Sequence, residues 1–139
     1  MTTLVDTGPL VALFDPKDRE HERCREALKK VRGRLQTTVP VLTEAFHILD
    51  PDSQGSAALR AFISKGGLSV WWLDAALLAR AFELMDRYAD HPMDLADASL
   101  IVAAESLKTQ RVFTLDRRDF RAYRVRRGHR ELAVETLPA

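Results

Sequence analysis

Four acidic residues stand where an apolar neighbour would be expected. Asp6 closes the short apolar run Leu4-Val5, and Asp116 follows Val112-Phe113-Thr114-Leu115. Glu44 sits among Val41, Leu42, Ala45 and Phe46, and Asp97 lies between Ala96 and Ala98, three positions after Asp94. A carboxylate in such surroundings needs compensation, because burial penalises its charged form. Two carboxylates ~5 Å apart repel by roughly 3 kcal/mol at an effective dielectric of 20. If these acids converge, the group is either partly protonated or neutralised by a cation. All-oxygen ligation suits a hard ion such as Mg²⁺ or Mn²⁺ rather than zinc. The chemistry that follows is phosphodiester hydrolysis, in which the metal orients water and stabilises charge on the phosphate. Taken singly, each acid has a plainer use. Asp94 after Pro92 is a good N-cap, Asp97 an acid favoured by the helix dipole, and Asp6 a cap for the turn after it.

Other chemistries find little support. His21, His47, His91 and His129 are scattered, with no pair at zinc-binding spacing. No glycine-rich phosphate loop and no serine in a nucleophile elbow is present, and Cys24 on a charged segment lacks an activating partner. An aspartyl phosphotransferase would share Asp6 but needs a second aspartate where Gly8 stands. Trp71 and Trp72 are expected to fill the core on one side and meet a helix or subunit on the other.

The net charge of +1 hides segregation. Residues 17–34 carry eight basic and four acidic side chains, and residues 111–131 carry eight arginines against three acids. The remainder is strongly acidic. Basic segments beside an acidic remainder can bind a polyanion and still hold a cation.

The elements that must position these acids follow from periodicity. At 139 residues, 46% hydrophobic and 29% charged, the chain is expected to form one domain over 1–139. It has no apolar run of the ~18 residues that a transmembrane helix needs, so a soluble, cytoplasmic protein is expected. Strands are expected at 3–6, 35–39, 68–73, 111–114 and 132–137, the last an edge candidate. Helices are expected at 10–14, 20–31, 40–49, 55–65, 74–89 and 95–107. The 95–107 helix is apolar nearly all round and therefore central. Alternating strands and helices imply an α/β fold with a parallel sheet and helices on both faces. Ligands bind beyond the carboxyl ends of such strands, which puts Asp6 and Asp116 on one rim.

These residues resemble the PIN-domain ribonucleases. Val5-Asp6-Thr7 after a first strand is similar to that family's opening. Glu44 in an early helix, Asp94-Leu95-Ala96-Asp97-Ala98, and Thr114-Leu115-Asp116-Arg117-Arg118-Asp119-Phe120 complete its usual order. The resemblance covers essentially the whole chain, and the layout is similar to VapC-type toxins of prokaryotic toxin–antitoxin pairs. It implies a PIN-like three-layer sandwich about a sheet of about five parallel strands. It implies an endoribonuclease that depends on Mg²⁺ or Mn²⁺ held by Asp6, Glu44, Asp97 and Asp116. Thr114 and Thr7 would support those ligands, and Asp94 would either ligate or cap its helix. A homodimer and a small antitoxin that fills the active-site groove are implied as well. Asp119 beside Phe120 reads as structural, whereas the arginines after Asp116, beginning with Arg117, Arg118 and Arg121, read as RNA phosphate contacts. The competing readings are a non-catalytic PIN-like module that binds RNA or protein, and a metal-dependent phosphoesterase with another substrate.

Overall fold

Short apolar runs and capped amphipathic segments alternate along the chain, and they fold accordingly. The computed structural model describes residues 1–138. Its first half contains β1 (Thr2–Val5), α1 (Thr7–Phe14), α2 (His21–Lys30), β2 (Arg34–Thr38), α3 (Val39–Leu49), α4 (Gln54–Ser64) and β3 (Ser69–Trp71). The second half contains α5 (Ala75–Arg87), α6 (Leu95–Leu107), β4 (Arg111–Phe113), α7 (Arg117–Ala122), β5 (Arg124–Arg127), β6 (Arg130–Ala133) and β7 (Glu135–Leu137).

Five strands form a parallel sheet in the order β3-β2-β1-β4-β7. The order runs outward from β1 to β3, then restarts on the other side of β1 with β4. Right-handed crossovers place the helices before and after that reversal on opposite faces of the sheet. The reversal also opens a crevice beyond the carboxyl ends of β1 and β4.

Helix α6 is the centre of the fold, as its composition predicts. Ala96 and the run from Ala98 to Ala104 are buried, and the helix packs against β1, β2, α3 and α5. Thr38 Oγ1 and Ser99 Oγ lie 2.6 Å apart, tying the end of β2 to the first turns of α6. Both are fully buried, so this one polar contact fixes where α6 begins relative to the sheet.

The C-terminal quarter departs from expectation. The single strand expected at 132–137 is two, β6 and β7. Only β7 joins the main sheet, as its edge, while β6 pairs antiparallel with β5. The hairpin turns through Gly128 and His129, with Gly128 in the left-handed region at φ 60°. An arginine-rich strand whose buried member is Val125 offers no visible alternation. Helix α7 also went unexpected, since six residues burying Phe120 make no periodic stripe. In the expected strand 68–73 three residues are paired. Trp71 packs against the core, and Trp72 is 70% exposed with no helix covering it.

Candidate active site

The sequence places Asp6 at the point where β1 gives way to α1. Its backbone is extended (φ −84°, ψ 170°), and its Oδ1 accepts a 2.8 Å hydrogen bond from the Thr7 amide, so it caps α1 as expected. Its other oxygen faces β4, where the Thr114 hydroxyl donates to Oδ2 at 2.8 Å. The same Thr114 hydroxyl accepts from the Asp116 amide at 2.9 Å, linking the two rim acids through one residue. Thr7 turns its hydroxyl to Glu44 and donates to Oε1 at 2.8 Å across α1 and α3.

Asp94 and Asp97 form a capping box. Asp94 Oδ1 accepts from the Asp97 amide at 2.8 Å, and Asp97 Oδ2 accepts from the Asp94 amide at 3.4 Å. The plain structural use of this pair is therefore real, yet it aims both carboxyl groups into the crevice. A cavity of ≈ 460 Å³ is lined by Asp6, Thr7, Glu44, Asp94, Asp97 and Asp116. All four acids singled out in the sequence meet there. Arg117, Arg118 and Arg121 follow Asp116 on α7, outside the cavity lining.

Asp119 corrects the sequence reading. It also lines the cavity, and it raises the pKa of Asp116 by hydrogen bond and by charge. Asp116 and Asp119 repeat the three-residue spacing of Asp94 and Asp97, but that spacing puts two side chains on one face only where a helix forms, and α7 has no periodic stripe to announce it. Tyr123 carried no signal either. It is fully buried, stacked edge-on against Tyr88 and Phe120, and its hydroxyl lies 3.5 Å from Asp97 Oδ2.

The electrostatics are those of acids without a counter-charge. Among the described residues no lysine or arginine lies within 4.0 Å of any of the six carboxyl groups, and the one histidine that near is His91, its Nε2 3.8 Å from Asp119 Oδ1. Burial raises the pKa of Asp6 to about 6, against the lowering effect of its Thr114 and Thr7 hydrogen bonds. Asp97 is pushed to about 8, first by burial and then by the charges of Asp94 and Asp6. Asp116 is raised by burial and by Asp119. Such shifts mark a site that holds like charges at a cost.

As the side chains stand, no three acids, histidines or cysteines among the described residues converge tightly enough to ligate a single ion. The donor chemistry nevertheless fits a hard divalent cation. The oxygens are carboxylates, they share one open cavity, and their mutual repulsion is unrelieved by protein. Arrangements of this kind hydrolyse phosphodiesters with metal assistance.

Known proteins share this fold. Residues 3–126 match the PIN domain. Ribonuclease VapC26 of Mycobacterium tuberculosis is 28% identical over 124 residues, spanning 87% of this chain and 91% of that protein. Among solved structures, M. tuberculosis VapC20, described as a Sarcin-Ricin loop cleaving toxin, superposes with a TM-score of 0.72 at 20% identity, over 79% of this chain and 86% of the other. A toxin–antitoxin complex from Klebsiella pneumoniae gives 0.65 at 20% identity, over 85% and 89%. VapBC2 from Rickettsia felis, bound to a DNA fragment from its promoter, gives 0.64 at 16%, over 88% and 92%. A parallel sheet that reverses at β1, with acids gathered at that reversal and a match across nearly the whole chain, makes this protein a member of the PIN-domain family.

Proposed function

We propose that this chain is a metal-dependent endoribonuclease, one domain in extent, that acts as the toxin of a type II toxin–antitoxin pair. The observation that carries the proposal is the set of carboxyl groups that lines one cavity at the sheet reversal, Asp6 buried and the others half-buried or open to solvent, left without a protein counter-charge. Asp6, Glu44, Asp97 and Asp116 are the residues we assign to the metal. A bound Mg²⁺ or Mn²⁺ would supply Lewis-acid activation of water and neutralise charge on the phosphate. Thr114 holds Asp6 and the Asp116 backbone in register, Thr7 orients Glu44, and Asp94 fixes Asp97 while adding its own charge. Arg117, Arg118 and Arg121, directly after Asp116, are assigned to RNA phosphates. The names of the neighbours support an antitoxin partner. The exposed apolar side chains of Trp72 and Phe82 support a second copy of the chain as a further partner. No helix among the described residues is long and apolar enough to cross a membrane, and we assign the protein to the cytoplasm.

The test is cleavage of labelled structured RNA with Mg²⁺, Mn²⁺ or EDTA, beside single-stranded DNA and a small phosphoester. Internal cleavage of RNA that EDTA abolishes is expected. Turnover of the phosphoester alone would make the protein a phosphoesterase. No turnover together with no metal-induced rise in melting temperature would make it a binding module.

The supporting role of Thr114 has its own test. Thr114→Val keeps the shape of a fully buried side chain but removes the donor to Asp6. Because changes one shell out from a metal cost roughly 10–100-fold, Mn²⁺ affinity should fall within that range. Calorimetric titration of wild type and variant checks it, and equal affinities would remove Thr114 from the site.

A further inference from the structure

We propose that the β5–β6 hairpin is a docking arm for the RNA backbone flanking the cleaved bond, a surface that rests on the nuclease reading above. The arm starts at the acid cavity, since Tyr123, 3.5 Å from Asp97 at its hydroxyl, immediately precedes β5. It then follows α6 away from the cavity, for the Arg126 amide donates to Glu105 Oε2 at 2.9 Å. Glu105 lies eight residues beyond Asp97 on that helix, which is about 12 Å at 1.5 Å per residue. The Arg126 backbone is thus anchored about two turns of α6 beyond Asp97.

The arm is held rigidly. Besides the Glu105 hydrogen bond, the Arg124 amide donates to Tyr88 Oη at 3.0 Å, and Arg87 clamps Glu131 of β6 with both terminal nitrogens. Val125 is fully buried beneath it. The Glu105 carboxylate is itself fixed by Arg80, through Nε and Nη2 at 3.0 Å each. A preorganised arm loses little entropy on binding.

Its charge is not spent within the fold. Arg117, Arg118, Arg121, Arg124, Arg126, Arg127 and Arg130 make no ion pair among the described residues, whereas α2 neutralises Arg23, Arg25 and Lys29 with Glu20, Glu22 and Glu26. Arg124 instead donates to the Arg121 and Tyr123 carbonyls, so it serves the turn into β5. Arg126 and Arg130 are exposed, and Arg127 buries an Nε that has no partner. A Cβ added to Gly128 would meet nothing within 4 Å, which leaves the tip open to a large ligand.

The occupant is RNA rather than an acidic polypeptide. Six carboxyl groups surround the cavity, more than the two charges of one divalent ion, so the cavity by itself repels a polyanion. A substrate phosphate can reside there only if neighbouring phosphates are held by positive charge nearby, and the arm supplies it along the path that leads out. A protein partner covering the cavity would need cations there, not acids.

The test uses the exposed pair Arg126→Ala/Arg130→Ala. Structured RNA binding is measured by anisotropy in EDTA between 50 and 200 mM salt, in an Asp97→Asn background that separates binding from turnover. Affinity should fall about ten-fold and the salt slope by about 2, one for each phosphate left without its arginine. In the active enzyme KM should rise while kcat holds. Unchanged affinity and slope in a folded variant would overturn the arm, and so would loss of binding to a glutamate-rich peptide with RNA binding intact. The two readings fail separately. Wild type that binds RNA through the arm yet cleaves none refutes the nuclease, and cleavage with an unaltered KM in the pair refutes the arm.

Discussion

Asp97→Asn should lose RNA cleavage by about a thousand-fold or more, since even changes one shell out from a metal cost roughly 10–100-fold. The same variant should melt higher than wild type in EDTA at pH 8. The physical reason is the capping box: Asn keeps an oxygen for the Asp94 amide, so the start of α6 survives. What disappears is a charge that Asp94 and Asp6 repel and that burial already penalises. A gain of about 1 kcal/mol corresponds to roughly 3 °C for a domain of this size. Paired measurements of cleavage rate and metal-free melting temperature check both halves. Retained cleavage would remove Asp97 from the reaction. A lower melting temperature would mean that the cluster is structural, its charge compensated in a way that the distances do not reveal.

The second large effect is on stability against pH. In the metal-free protein Asp6 and Asp97 hold their protons more tightly when folded than when unfolded, at about 6 and about 8 against an ordinary carboxylate value near 3.9. The folded state therefore binds more protons between these limits, and stability falls as pH rises. The loss begins near pH 4, where the unfolded chain ionises, and is complete only above pH 8. For Asp6, which is 8% exposed, the rise to about 6 caused by burial corresponds to about 3 kcal/mol. Asp97 adds a loss of the same sign. A divalent cation favours the ionised folded form and reverses the trend, contributing about 2.7 kcal/mol at a hundred times its Kd. Melting curves at pH 5.5 and 8, with EDTA and with Mg²⁺, should show a metal-induced rise that is larger at pH 8. Binding should also release protons, measurable by calorimetry in two buffers of different ionisation enthalpy. Metal-free stability that increases from pH 5.5 to 8 would contradict the assignment of unrelieved charge.

The sequence alone determined the order and type of most elements. Helix α6 was legible because its apolar residues leave no polar face, and α5 because Asp74 caps it, accepting from the Leu77 amide at 2.8 Å. Asp6, Glu44, Asp97 and Asp116 were legible because each interrupts an apolar neighbourhood, a local anomaly that needs no tertiary knowledge. Alternation of strands and helices set the rim on which the acids would meet. Three things were decided only by tertiary structure. Asp119 joins the cavity because α7 forms after Asp116, and a six-residue helix burying one phenylalanine leaves no periodic trace. Tyr123 reaches Asp97 because an aromatic cluster with Tyr88 and Phe120 brings together segments distant in sequence. The hairpin exists because Glu105 and Arg87, both from other helices, anchor β5 and β6, while the arginines that fill β5 conceal its alternation. Local patterns record which face of an element avoids water. They do not record which distant carboxylate or ring an arginine or tyrosine will meet, and those pairings turn a row of acids into a charged cavity with an arm beside it.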